Sequence, residues 1–120
     1  MDLKQFYTYT NTQSTDNEVS VTINFNKEHP IYKGHFPNNP VVPGIMQIEI
    51  ITDILRNKIQ ETALLKKVTN IKYLNIITPE IENLVLEISY KLVDDIYKVK
   101  CNIKKEERIY TKFSGQYSLL

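Results

Sequence analysis

The sequence predicts an α+β domain in which a long antiparallel β-sheet wraps around one central α-helix. Three observations predict it. Four segments alternate apolar and polar side chains with a period of two, the signature of half-buried strands. Only one segment has clear helical length, from Ile45 to about Thr62, without Pro or Gly. That helix carries apolar side chains on most bearings, so it must be covered on most sides. A chain of 120 residues is expected to form a single domain, residues 1–120. At this size it buries only about two-thirds of its unfolded surface.

The elements follow in order. "EVSVTINF" (18–25) sets Val19, Val21, Ile23 and Phe25 on one face and Ser20, Thr22 and Asn24 on the other. The helix comes next, with a single polar stripe of Glu49, Asp53, Arg56 and Gln60. "NIKYLNII" (70–77) reads as a strand leading into a meander. In that meander "LVLEISYKLV" (84–93) aligns Leu84, Leu86, Ile88, Tyr90 and Leu92. "IYKVKCNI" (96–103) aligns Tyr97, Val99, Cys101 and Ile103, and "IYTKFSGQYSLL" (109–120) aligns Ile109, Thr111, Phe113, Gly115, Tyr117 and Leu119. The joints, Asp94-Asp95 and Lys104 to Glu107, are short and charged, as hairpin loops are.

Composition narrows the function classes. A formal net charge of +1 gives no global attraction to nucleic acid or anionic membrane. Lysine and arginine are scattered, and the pairs Lys66-Lys67 and Lys104-Lys105 read as solvated surface. The single Cys101 cannot form an internal disulfide or a cysteine-based zinc site, and its place in an alternating run makes it a packed thiol. The first residues have no apolar core of the signal-peptide kind, and the most apolar stretch is interrupted by Glu49 and Asp53. A cytoplasmic protein with neither nucleic-acid nor membrane partners is therefore expected.

The chemistry concentrates in "GHFPNNPVVPG" (34–44), which holds three of the five prolines, two of the three glycines and one of the two histidines. Phe36, Asn39 and Val42 each precede a proline, so the segment is expected to be extended and stiff. The helix follows Pro43. Its first amides, near Gly44, Ile45 and Met46, lack intrahelical acceptors and suit a developing oxyanion. Glu49, one turn further, is expected to be half-buried and so to favour its protonated, donating form. The plainer alternatives are a loop histidine, and a Glu49 that faces water and pairs weakly with Arg56. His29, which also precedes a proline, reads as a loop residue.

The series "GHFPNNPVVPGIMQIE" resembles the signature of the 3-hydroxyacyl-acyl-carrier-protein dehydratases, the FabZ-like family. The match falls on Gly34, His35, Phe36, Pro37, Pro40, Pro43, Gly44 and Glu49, with the family's fourteen-residue interval from His35 to Glu49. The resemblance implies a hot-dog fold and loss of water from a 3-hydroxyacyl thioester to give the trans-2-enoyl thioester, in fatty acid or polyketide-type biosynthesis. It implies His35 and Glu49 as the catalytic pair, backbone amides at Gly44 and Ile45 as the oxyanion donors, and Phe36, Pro37 and Pro43 as the loop lining the substrate tunnel. No metal or other cofactor is implied, because phosphopantetheine arrives with the substrate, on an acyl carrier protein or as coenzyme A. A homodimer, with trimers of dimers as a higher assembly, is implied too, the histidine of one subunit facing the acid of the other. Lys27, Lys33 and Arg56 are the candidates for a basic rim that receives an acidic carrier. The chain departs from the pattern at Asn38, at Asp53, and in "ITPEIENLVLE", which replaces a "PGD" turn. A non-catalytic subunit of the same fold, binding an acyl chain or completing a partner's site, is the alternative.

Overall fold

The computed structural model describes residues 3–34 and 38–119. A short 3₁₀ turn, Leu3–Gln5, leads into β1 (Tyr7–Ser14) and β2 (Glu18–Phe25). A single helical turn, α1 (Ile31–Gly34), and the main helix, α2 (Gly44–Ile59), come next. Four strands complete the chain: β3 (Ala63–Tyr73), β4 (Leu84–Val93), β5 (Ile96–Lys105) and β6 (Arg108–Leu119). All strand pairs are antiparallel, in the order β1-β2-β4-β5-β6-β3, so β1 and β3 are the edges. The sheet curls around α2, which buries Met46, Ile50, Ile51, Ile54 and Leu55 against the inward residues of the strands. This is the architecture that the alternation and the helix predict.

Two hairpins set the register of the meander. Asp94 and Asp95 both take positive φ, 51° and 64°, which makes the β4–β5 connection a type I′ turn matched to the twist of its strands. Cys101 is buried and free, as its position in β5 predicts. In β6 the prediction needs a correction. The register shifts between Ile103 and Lys104, which pair with Thr111 and Ile109, so Tyr110 is an extra, bulged residue. Ile109 therefore leaves the inward face, while Tyr110 and Thr111 are both buried. The bulge turns the Tyr110 carbonyl toward the amides of Leu74 and Asn75, at 2.8 and 3.2 Å.

The remaining corrections have similar causes. β1 escapes the alternation test because "YTYTNTQS" is polar on both faces, and only Tyr7 is buried. It is held instead by side chains of α2: Tyr7 Oη donates to Asp53 at 2.6 Å, Asn57 Nδ2 to Tyr9 Oη at 2.7 Å, and Lys58 Nζ to Ser14 Oγ at 2.7 Å. β3 begins seven residues before the predicted strand, and bulges at Lys66 and Thr69 break its alternation. The helix stops at Ile59 because Gln60 turns left-handed (φ 58°), its amide returning to the Arg56 carbonyl at 2.8 Å. His29 is a loop residue: Nδ1 accepts the Ile31 amide at 3.1 Å, and the ring packs edge-on against Phe6. No helix among the described residues is long and apolar enough to cross a membrane.

The core contains phenols that resist ionisation. Burial pushes Tyr117 up to about 12, with its Oη 2.7 Å from Thr52 Oγ1. Burial also pushes Tyr32 up to about 12, and its hydroxyl has no hydrogen-bond partner among the described residues. Unfolded phenols ionise near ~10. Between that value and 12 the unfolded chain therefore holds fewer protons than the folded one, and stability falls as pH rises. The urea midpoint is expected to drop between pH ~10 and ~12, and to drop less steeply in Tyr117→Phe.

Candidate active site

The Pro-rich loop is pinned just before it becomes a helix. Pro43, the N-cap of α2, has φ −60° and ψ 145°, the extended geometry that its ring favours. Val42 is buried; its amide donates to the Ile77 carbonyl at 2.8 Å, and its own carbonyl accepts Gln47 Nε2 at 3.3 Å. Gln47 is 4% exposed, and its Oε1 accepts the hydroxyl of the fully buried Thr111 at 2.6 Å. The β6 bulge, the helix and the loop thus meet through one side-chain amide. Sequence reading missed the Gln47–Thr111 pair because the two lie 64 residues apart and neither is a matched position of the motif.

The start of α2 has fewer free donors than expected. The amides of Met46 and Gln47 both reach the Pro43 carbonyl, at 3.0 and 3.2 Å. Met46 is thereby removed from the set of free donors. The amides of Gly44 and Ile45 have no acceptor among the described residues, and no side chain caps them. Gly44 lets Tyr73 approach closely: a Cβ on it would lie 2.5 Å from Tyr73 Oη, so a larger residue would displace that half-exposed ring. Burial raises the Tyr73 phenol above its ordinary value, which keeps it a donor. Gly44, Pro43, Gln47 and Tyr73 line a cavity of about 600 Å³, bordered by the exposed apolar side chains of Leu74 and Ile76.

Glu49 opens into a different cavity, of about 680 Å³, together with Tyr7, Tyr9, Asp53 and Arg56. The half-buried acid expected at this position is not found; Glu49 is exposed in this chain, because the face of α2 that bears it is left uncovered beyond β1. Its neighbours on the polar stripe are committed. Asp53 accepts from Tyr7, whose phenol is pushed above its usual range by burial and by the adjacent carboxylate. Arg56 Nε donates to the Ala63 carbonyl at 2.8 Å and pairs with neither acid. Glu49 alone of the stripe's charged groups has no hydrogen bond or ion pair among the described residues. His35, Phe36 and Pro37 lie outside the described residues. The chain thus brings Pro43 and Gly44 together at one mouth and turns Glu49 to another, while the Ile45 side chain is exposed and lines neither.

Comparison with known proteins gives this geometry a family. A family model described as "ApeI-like: ApeI dehydratase" matches residues 11–114. A 3-hydroxyacyl-[acyl-carrier-protein] dehydratase FabZ from Lactobacillus helveticus (strain DPC 4571) is 33% identical over 98 residues. That match covers 75% of this chain and 63% of the relative, so the chain spans less than two-thirds of the relative's length. Among solved structures, the dehydratase heterocomplex ApeI:P from Xenorhabdus doucetiae superposes with a TM-score of 0.68 at 13% identity, covering 91% of this chain and 94% of that one. An uncharacterised protein from Erwinia carotovora subsp. atroseptica gives 0.62 at 19% identity, covering 94% and 92%. At such identities the structural likeness speaks to fold alone, and that fold is the hot-dog. Since the family model spans nearly the whole described chain, the protein belongs to the ApeI-like dehydratases.

Proposed function

We propose that this protein removes water from 3-hydroxyacyl thioesters, carried on an acyl carrier protein or coenzyme A, as a cytoplasmic enzyme of fatty acid or polyketide-type chain extension. Neutral His35 takes the α-proton, whose acidity comes from the thioester carbonyl. The Gly44 and Ile45 amides hold the carbonyl oxygen as charge builds there. The electron pair of the broken C–H bond forms the C2–C3 double bond, and the β-hydroxyl leaves with a proton from Glu49 as water. A proton passed from His35 to Glu49 through solvent resets the pair. No metal or redox group takes part in these steps; the phosphopantetheine belongs to the substrate.

The observation that carries this reading is a Glu49 carboxylate without a partner among the described residues, on the same helix whose first two amides have no acceptor among them, but facing another cavity. A homodimer resolves the separation, because a second chain brings its own Glu49 to the first chain's loop and buries both. The test is hydration of crotonyl thioesters, followed by loss of enoyl absorbance. The wild type is expected to turn over, with His35→Ala and Glu49→Ala each slower by about 10²- to 10⁴-fold. Absence of turnover on every chain length would sink the proposal. A second reading, a subunit that completes a different partner's site, is favoured by the heterocomplex description of the ApeI:P structure. It predicts activity only when that partner is added.

A further inference from the structure

We propose that the outer face of the sheet is a docking surface for an acidic protein. The lysines scattered along the sequence are gathered there by strand register. Lys91, Lys98 and Lys67 lie in one row across β4, β5, β6 and β3, with Gln116 between the last two. Lys100 lies in the next row, between Ser89 and Ser114. Lys112 and Lys72 share the third, and Lys104 follows on β5. Six of them alternate with a neighbour on the core side, and Lys67, between two bulges, pairs with the outward Gln116, so all seven point away from the core. The same face of β2 and β4 carries two acids, Glu18 and Glu87. Seven lysines against two glutamates give the face a net +5, leaving −4 for the rest of a chain whose formal charge is +1.

The arrangement is costly to the isolated fold. Lys91 stands directly opposite Lys98, and Lys112 directly opposite Lys72. Like charges directly opposed on a sheet destabilise it. Only Lys104 is relieved, by Glu87 at 3.2 Å; the other six lysines have no ion pair or hydrogen bond among the described residues. An anionic partner removes that repulsion on contact. The chemistry of the face selects the partner's class. The outward residues of β2, β4, β5 and β6 include no aromatic side chain for stacking on bases. The face relies on lysine, a point charge without the planar fork that reads phosphate and base edges. Between the lysines stand Ser, Thr, Asn and Gln, so there is no continuous apolar band to enter a lipid surface. Unforked charges over polar ground suit the carboxylates of an acidic protein, in a fast and salt-sensitive encounter. A groove of about 460 Å³, in which Lys91, Lys98 and Lys100 outnumber the single acid Glu18, with Tyr90 and Gln116 also in its wall, gives that encounter a seat.

The experiment compares the wild type with the triple variant Lys98→Gln/Lys100→Gln/Lys112→Gln and a control off this face, Lys4→Gln/Lys66→Gln/Lys105→Gln. The probe is poly-L-glutamate, with double-stranded DNA and phosphatidylglycerol vesicles beside it. The wild type is expected to bind poly-L-glutamate with an affinity that falls as salt rises. The triple variant loses about tenfold or more, and the control binds like wild type. The triple variant also melts higher, by about 1–4 °C, because both opposed pairs are relieved. That rise separates loss of binding from loss of fold. Equal loss in the control, no binding by the wild type, or a lower melting point in the triple variant overturns the proposal. So does tighter binding of DNA or vesicles through the same lysines, or salt-sensitive self-association that the triple variant abolishes.

Discussion

Mixing inactive His35→Ala and Glu49→Ala chains under conditions of subunit exchange is expected to restore about a quarter of the wild-type active sites. The reason lies in helical geometry. Gly44 and Glu49 are five residues apart on α2, roughly 140° around its axis at 3.6 residues per turn. They accordingly line separate cavities. One chain cannot turn both toward one thioester. Two-fold symmetry can, by giving each loop the other chain's acid. A mixed dimer then holds one site with both native residues and one with neither. Random exchange makes about half of all dimers mixed, hence the quarter. The measurement is crotonyl-thioester turnover before and after mixing, with co-purification of differently tagged chains to verify exchange. Activity that stays at the level of the separate variants, despite verified exchange, means that the site is not shared between copies of this chain.

The parts of the fold legible in the sequence are those in which one face is buried and the other wet. β2 and β4 have the predicted bounds, because their inward residues Val19, Val21 and Ile23, and Leu84, Leu86 and Ile88, all lie in the core. β1 and β3 are edges, and for them the pattern fails for physical reasons. β1 is fixed by Tyr7 and Tyr9 bonding to Asp53 and Asn57 of α2, and by Lys58 of α2 bonding to Ser14, which leaves no period-two trace. β3 carries two bulges and exposes Lys66 to Asn70 on both faces. The end of α2 has no glycine to announce it, since Gln60 takes the left-handed conformation itself. The site divides in the same way. The motif points to Gly44, Ile45 and Glu49 as candidates, while Gln47, Thr111 and Tyr73 emerge only when the strands are paired. The lysine face was invisible for the same reason: charge neutrality is a property of the whole sequence, whereas a basic surface is a property of register.

Thr111→Val is expected to cost about 1–3 kcal/mol of stability, a large effect for the loss of one hydroxyl group. Valine preserves the shape but leaves Gln47 Oε1 buried without its donor. An unpaired polar atom inside the core forfeits its solvation without compensation. Replacing both partners, in Thr111→Val/Gln47→Leu, removes the orphaned oxygen and is expected to recover part of that loss, the remainder being the Val42 carbonyl's lost 3.3 Å donor. Turnover should behave differently. Gln47 Nε2 also holds the Val42 carbonyl, two residues before the Gly44 amide. Leucine at this position cannot replace that bond, so the double variant is expected to remain about 10- to 100-fold slower than wild type. Urea denaturation and crotonyl-thioester turnover across the four members of the cycle measure the two effects separately. Activity that returns in step with stability would make the Gln47–Thr111 pair a feature of the core alone. Stability that returns while turnover stays low identifies Gln47 as the residue that positions the loop, with the Gly44 and Ile45 amides placed through it.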